Sequence, residues 1–302
     1  MWRDLFARSI VKVDLEPSDD EPFRSESVVH ILPDLVIRSS SASAATVRRT
    51  NGLVADGDDN LVLTIMKKGR MTAQQGDREV NIADGGAYLW SNASTGYSRN
   101  SSMDLLTIAI TRRSLEATVA DLDRSLMRPI PALSEPLKLL IAYVGILQSQ
   151  PGRMSPALLA SSSAHIHDLA ALALGATRDA SEAAGQGGLR AARLLAVKAD
   201  VLAHLRRPEL SAEAVAVRHG ISPRYVRDLF SGEETTFGDF VREHRLRRAY
   251  HLLASPVTLN RSISEIAAEC GFGDLSHFNH SFRRRFGMTP GDVRTSLVEG
   301  KQ

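Results

Sequence analysis

Residues 212 to 230 and 263 to 282 carry one pattern twice: a short helix with a small residue, a glycine four positions later, and a second helix ending in an aromatic. Ala216 and Gly220 in the first copy are matched by Ala267 and Gly271 in the second, an offset of 51 residues. A small residue one turn before a helix end lets a second helix cross closely. A glycine just past that end supplies the left-handed backbone that terminates the helix without a Cβ penalty. The second helices start with recognisable caps, Ser222 followed by Pro223 and Asp274 after Gly273. Val226, Leu229 and Phe230 form one inward face, and Phe278 and Phe282 with Phe286 beyond form the other, at helical spacing. The pattern predicts two helix-turn-helix units in tandem.

The outward faces carry the candidate DNA contacts. They are Ser222, Arg224, Tyr225 and Arg227 in the first unit, and Ser276, His277, Asn279, His280, Arg283 and Arg284 in the second. Such side chains on a helix in the major groove reach base edges and phosphates, arginine suiting guanine and asparagine suiting adenine. Arg284 and Arg285, late in the helix, are expected on phosphate rather than on bases. Between the units, Thr236 to Leu253 reads as one amphipathic helix. Its length of roughly 27 Å at ~1.5 Å per residue is comparable with the roughly 34 Å between successive major-groove faces. Both second helices are therefore expected in adjacent grooves, with the DNA bent or the docking tilted.

At these residues the chain resembles the AraC/XylS family of bacterial transcription regulators. The resemblance covers about residues 195 to 296 and is strongest over Ile263 to Arg294. Asp274, Ser276, Phe278, Phe282, Arg283, Arg284, Phe286, Gly287, Thr289, Pro290 and Arg294 match the family's second unit, and Arg245-Leu246-x-x-Ala249 is similar to its connecting helix. Val293 stands where an aromatic is usual, and Asn279-His280 where Ser-Arg is common, so base preference does not carry over. The resemblance implies a regulator bound to double-stranded promoter DNA, touching RNA polymerase, answering a small-molecule effector and forming a homodimer.

Charge is distributed as DNA binding requires. Lys and Arg outnumber Asp and Glu by 18 to 13 from residue 190 onward, and are outnumbered 19 to 22 before it. The 302 residues allow about two globular domains. "RDASEAAGQGG", from Arg178 to Gly188, has the small, polar composition of a flexible linker. The expected division is residues 1–178, a linker at 179–189, and a DNA-binding domain at 190–302.

Residues 1 to 110 alternate short strand-like runs with turn clusters such as "DGDDN" at Asp56 to Asn60. The expected strands are Leu35–Arg38, Thr46–Arg49, Leu61–Met66, Glu79–Ile82, Ala87–Trp90 and Leu105–Ile110. This looks like the cupin-like effector domain of family members, a β-barrel or sandwich with flanking helices. The full expectation is a multi-domain α and β protein with an all-α C-terminal domain. Arg38, Tyr88, Trp90 and Tyr97 are the candidate effector contacts, although aromatics in strands more often serve the core. Three helices, Ser114–Met127, Ser134–Gln150 and Ser155–Ala176, are expected next. In the second, Leu133, Leu137, Leu140, Val144 and Leu147 form a seam for this barrel or for a second copy.

Catalytic signatures point elsewhere. Metal-dependent cupin enzymes hold their metal with strand histidines, yet no histidine lies between His30 and His165. His165 and His167 fall two apart on a helix and point about 200° away from each other, which rules out one shared metal. No metal site, cofactor or enzymatic activity is expected. Two rival readings remain: a constitutive DNA-binding regulator whose β domain only dimerises, and a metal-independent cupin enzyme with a fused DNA-binding domain. Ligand-insensitive promoter binding would mark the first, and turnover by residues 1 to 178 the second. The single Cys270 suits a reducing cytoplasm. The N-terminus lacks a signal-peptide core, and the longest apolar run, Leu139 to Leu147, is half of the ~18 residues a membrane span needs.

Overall fold

The computed structural model describes residues 11–18, 23–149, 154–233 and 235–299. They divide into two compact units, Met1–Ala192 and Arg193–Gln302.

Among the described residues of the first unit, ten strands form two antiparallel five-stranded sheets. One has the order β1 (Asp14–Pro17), β4 (Ala45–Arg49), β9 (Gly96–Asn100), β6 (Arg70–Gln75), β7 (Arg78–Ala83). The other has β2 (Ser25–Leu32), β3 (Leu35–Ala42), β10 (Met103–Ile110), β5 (Leu61–Lys68), β8 (Ala87–Ser91). Strand β5 is buried on both faces from Leu61 to Met66, which explains its unbroken apolar run. Each strand expected from sequence lies within an observed one. Helix α1 (Asn51–Val54) interrupts the strands after β4.

The helices that follow depart from expectation in two places. Ser114–Met127 is two short helices, α2 (Arg112–Glu116) and α3 (Leu122–Ser125). Thr118 bonds back to the carbonyls of Ser114 and Leu115, and Asp121 caps a new start by accepting from the Arg124 amide; both side chains compete with a continuous helix. Helices α4 (Glu135–Ser149) and α5 (Pro156–Leu174) stand as expected and pack on each other. The leucine seam is consumed inside this fold. Leu137, Leu140, Val144 and Leu147 are buried, while Leu133 lies outside the helix and is 82% exposed.

Residues 178 to 186 are the second departure. They form helix α6 (Arg178–Gln186), capped by the Thr177 hydroxyl, which accepts from the Ala180 amide. The small residues here are largely alanine, the strongest helix former, and Ala184 is buried. Gly188 opens helix α7 (Gly188–Ala203), within which the two units divide. A Cβ at Gly188 would stand 2.7 Å from the His165 carbonyl oxygen and from Asp168 Cβ, so close packing rather than flexibility requires this glycine. Asp168 Oδ2 accepts from the Gly188 amide at 3.0 Å.

Helix α5 is also the one helix among the described residues long and apolar enough to cross a membrane by composition, although it contains no long unbroken apolar run. Ser161, Ser162, Ser163, His165, His167 and Asp168 interrupt it, and Ile166, Leu169 and Ala170 pack into the interior of the unit.

The second unit is helical: α8 (Ala212–His219), α9 (Pro223–Ser231), α10 (Phe237–Leu253), α11 (Ile263–Glu269), α12 (Leu275–Phe286) and α13 (Pro290–Glu299), with the end of α7. It has two cores. Val197 and Val201 of α7 join Val215, Ala216, Val226, Leu229, Phe230, Phe237 and Val241 in one. Leu246, Ala249 and Leu253 join Ile266, Ala267, Cys270, Phe278, Phe282 and Val293 in the other. Helix α10 thus gives its first half to one core and its second half to the other.

Candidate nucleic-acid interface and effector cavity

Both turns have the geometry that the sequence requires. Gly220 and Gly271 are left-handed, with φ of 64° and 87°. Ile221 and Phe272, the residues that follow, pack against the two cores. Ser222 caps α9 by accepting from the Tyr225 amide at 3.1 Å, and Asp274 caps α12 by accepting from the His277 amide at 2.5 Å.

With the apolar sides of α9 and α12 buried, the outward sides follow from 100° per residue. On α12, Ser276, His280 and Arg283 lie opposite Phe278, Ser281 and Phe282, with Asn279 on one flank and His277 and Arg284 on the other; all six are exposed. On α9 the equivalent centre is Arg224 and Asp228, flanked by Arg227 and Tyr225. The Arg224 side chain is 91% exposed, with Asp228 at 3.9 Å. Tyr225 is half-buried beneath the Arg193 guanidinium, 5.4 Å from its ring centre. Arg227 is exposed and ion-paired with Glu213 of α8, whose carboxyl is held below its usual range by hydrogen bonds from its own backbone and from Arg227. The two outward faces are therefore unlike: arginine and aspartate at the centre of one, serine, histidine and arginine at the centre of the other.

Arg285, expected on phosphate, does something different. Its Nε and Nη2 donate to Glu243 of α10 at 2.7 and 2.8 Å, and Arg247 donates to the same carboxylate at 2.7 Å. At 280° on the α12 wheel it falls on the inward side, so it anchors the helix. The Arg285 hydrogen bond holds the Glu243 carboxyl below the usual range.

Arg245 joins the halves of the unit. Its Nε donates to the Leu205 carbonyl at 3.0 Å and its Nη2 to the Arg207 carbonyl at 2.6 Å, satisfying backbone acceptors beyond the end of α7. Gly271 of the second turn lies against the same guanidinium, where a Cβ would be 2.8 Å from Cζ and from the Leu205 oxygen. Glu269 collects three more arginines, Arg206, Arg248 and Arg261, at 3.6, 3.0 and 2.5 Å.

In the first unit a half-open cavity of about 110 Å³ lies between the two sheets. Arg38, Tyr88 and Trp90 line it; Tyr97 does not. Ser98 and Asn100 of β9 face the cavity, so alternation turns Tyr97 to the other face of the strand, where its hydroxyl donates to Gln74 at 2.9 Å. Burial lowers the Arg38 pKa to about 10 and raises that of the Tyr88 phenol, whose hydroxyl meets Met71 Sδ at 3.4 Å. Gly96 gives Trp90 its place: a Cβ there would be 2.5 Å from the indole.

Sequence reasoning missed Arg49, Thr64, Asn100 and Thr107, which also reach the cavity. Arg49 is buried and holds the Asn92 and Lys12 carbonyls and the Asp56 carboxylate, at 2.7, 2.9 and 2.8 Å, so its role is structural. Asn100 Oδ1 is buried with no hydrogen-bond partner among the described residues. The alternation of β9 would have pointed to Asn100, had that polar segment been recognised as a strand.

Comparison with known proteins agrees with both units. The AraC-binding-like domain matches residues 2–175 and the helix-turn-helix domain matches residues 215–296. The transcriptional activator RhrA of Rhizobium meliloti (strain 1021) is 34% identical over 169 residues, 56% of this chain and 52% of that protein. The HTH-type transcriptional regulator GlxA of the same organism is 40% identical over 127 residues, 41% of this chain and 38% of that protein. The chain thus matches about half or less of the length of these curated relatives. The crystal structure of the AraC-like transcriptional activator CuxR superposes with a TM-score of 0.51 at 17% identity, covering 82% of this chain and 89% of that one, a likeness of fold. With more than half of its length matched by the AraC-binding-like domain and the tandem helix-turn-helix units following, the chain belongs to the AraC/XylS family of transcription regulators.

Proposed function

We propose that the chain is an effector-responsive transcription activator that binds double-stranded promoter DNA through both helix-turn-helix units. The observation that carries this is the pair of outward faces at the same helical phase, Arg224 with Arg227 on α9 and Ser276, Asn279, His280 and Arg283 on α12, on a framework that α10 and Arg245 share. Arg224, Asn279 and His280 read bases. Arg284, Tyr225, His277 and the Ser222 hydroxyl support the helices on the phosphates. Arg227 either keeps Glu213 or exchanges it for a phosphate.

The β domain takes a small molecule in its cavity, and the ligand shifts DNA affinity only by its differential affinity for the free and DNA-bound arrangements. Activation proceeds by contact with RNA polymerase in the cytoplasm. The family names of the relatives support the activator role. A homodimer would have to form on surfaces other than the α4 seam, which is buried in its own chain. The chain acts by binding, without catalysis.

The test is titration of the full chain with promoter fragments at several salt concentrations. Affinity should fall linearly on a log–log plot as salt rises, because phosphate contacts release counterions. Binding independent of salt, or none at low salt on any fragment, refutes the reading.

A further inference from the structure

Helix α12 opens on a leucine that its own fold does not bury. Leu275 follows the Asp274 cap as the first residue of the helix, and it is 44% exposed. The inward side of α12 is filled by Phe278 and Phe282, and Leu275 belongs to neither core. Counted from the cap, the equivalent residue of the first unit is Pro223, which is half-buried. An exposed apolar side chain at this place is therefore peculiar to the second unit.

Helical spacing places Leu275 with two residues of the outward face. Leu275, Asn279 and Arg283 follow at intervals of four, so they form a stripe that drifts by about 40° per step and extends about 12 Å along α12. All three are exposed. The N-terminal residues of a recognition helix are the ones that contact base edges in the major groove, so Leu275 and Asn279 enter the groove together. Along the stripe the chemistry changes from hydrocarbon to amide to guanidinium.

The major groove offers one apolar group, the C5-methyl of thymine, and asparagine bonds the N6 and N7 of adenine. One helical turn from Asn279 to Leu275 is about 6 Å, which is less than two base-pair rises of about 3.4 Å each. Other base-edge groups are hydrogen-bond donors and acceptors, and they lose water to a leucine without gaining a partner.

Resting on the reading of α12 as a base-reading helix, we propose that Leu275 is a specificity-determining residue that reads a thymine methyl within two base pairs of the adenine bonded by Asn279. Contact withdraws the apolar surface of both groups from water, and a buried methyl contributes a factor of about four in affinity. Cytosine at that position lacks the methyl and turns its N4 donor toward the hydrocarbon, so it is disfavoured on both counts.

A site selected from a random DNA pool with the full chain supplies the probe. Each thymine in the half of the site that Asn279→Ala affects is replaced singly by deoxyuridine, which deletes the methyl and keeps every hydrogen-bonding group. Affinities are read by fluorescence anisotropy. At one thymine, within two base pairs of an adenine whose preference Asn279→Ala abolishes, the replacement should weaken the parent chain about fourfold. Leu275→Ala should bind the thymine and deoxyuridine probes equally; the residue is exposed and alanine favours the helix, so the variant keeps its fold. No thymine with this effect, a methyl effect that survives in Leu275→Ala, or one that lies away from the Asn279 adenine overturns the proposal while base reading by α12 stands. Selection that returns no sequence preference overturns base reading itself, and the role of Leu275 with it.

Discussion

Alanine at Gly271 and alanine at Gly220 look like the same substitution in two copies of one motif, yet the structure makes them unequal. Both positions are left-handed, so an L side chain costs about 1–2 kcal/mol at each. Reduced freedom of the unfolded chain returns about 0.4–1 kcal/mol of this. At Gly220 nothing lies within 4 Å of an added Cβ, so the total should stay near 1 kcal/mol. At Gly271 the Cβ would stand 2.8 Å from the Arg245 guanidinium and the Leu205 oxygen. Relief requires Arg245 to leave the Leu205 and Arg207 carbonyls, and hydrogen bonds of a charged group contribute about 1.5–3 kcal/mol each. Added to the backbone cost of about 1 kcal/mol, the two bonds bring Gly271→Ala to about 4–7 kcal/mol, several times the Gly220 value. Urea unfolding followed by far-UV circular dichroism measures both. Equal losses would refute the role assigned to Arg245, and a Gly271→Ala variant of unchanged stability would refute the packing of the second turn as well.

Alanine at Arg224, Asn279 or His280 should relax base preference at particular operator positions by about 1–3 kcal/mol per bidentate contact, whereas Arg284→Ala should weaken all sequences alike; selection from a random DNA pool separates the two. Glu243 is held below its usual range by Arg285, so its contribution is present above the unfolded carboxylate value near 4.3 and is lost as pH falls through the lower folded value. Acid unfolding of Glu243→Gln should accordingly show less loss of stability over that window than the parent chain, and identical profiles would count against the Arg285 anchor. Cys270 is fully buried with its thiol pushed up to about 11, so maleimide should label it only after unfolding; fast labelling of the native chain would contradict its core position.

What could be read from sequence differs between the units for a physical reason. In the helix-turn-helix units each signal is local: a left-handed glycine, a cap three residues before the amide that donates to it, and aromatics at helical spacing. Ser222, Asp274, Phe278 and Phe282 could be placed from their neighbours alone. Arg285 could not, because its partner Glu243 is 42 residues away and only the tertiary fold brings them together. The β unit hid more. On their inward faces β9 presents Ser98 and Asn100, and β6 presents Ala73 and Gln75 beside Met71, where a core strand would present valine or isoleucine, so they carry little hydrophobic signal. The phase of β9 cannot be counted from so polar a segment, so the sequence offers Tyr97 as an effector contact where the structure turns it away from the cavity. Arg38 and Trp90 sit in recognisable strands, yet that both line one cavity depends on pairing between strands distant in sequence. At residues 178 to 188, glycine content suggested flexibility, but alanine propensity and the Thr177 cap made a helix.

The central claim is that both units read the same duplex. Chemical footprinting of major-groove guanines with the full chain on its promoter tests it most directly. Two protected patches about one helical turn apart are expected, roughly 10 base pairs centre to centre. Arg224→Ala should weaken one patch, and the double substitution of Asn279 and His280 by alanine the other. A single patch that all of these substitutions diminish together, or protection confined to the minor groove, would contradict the account.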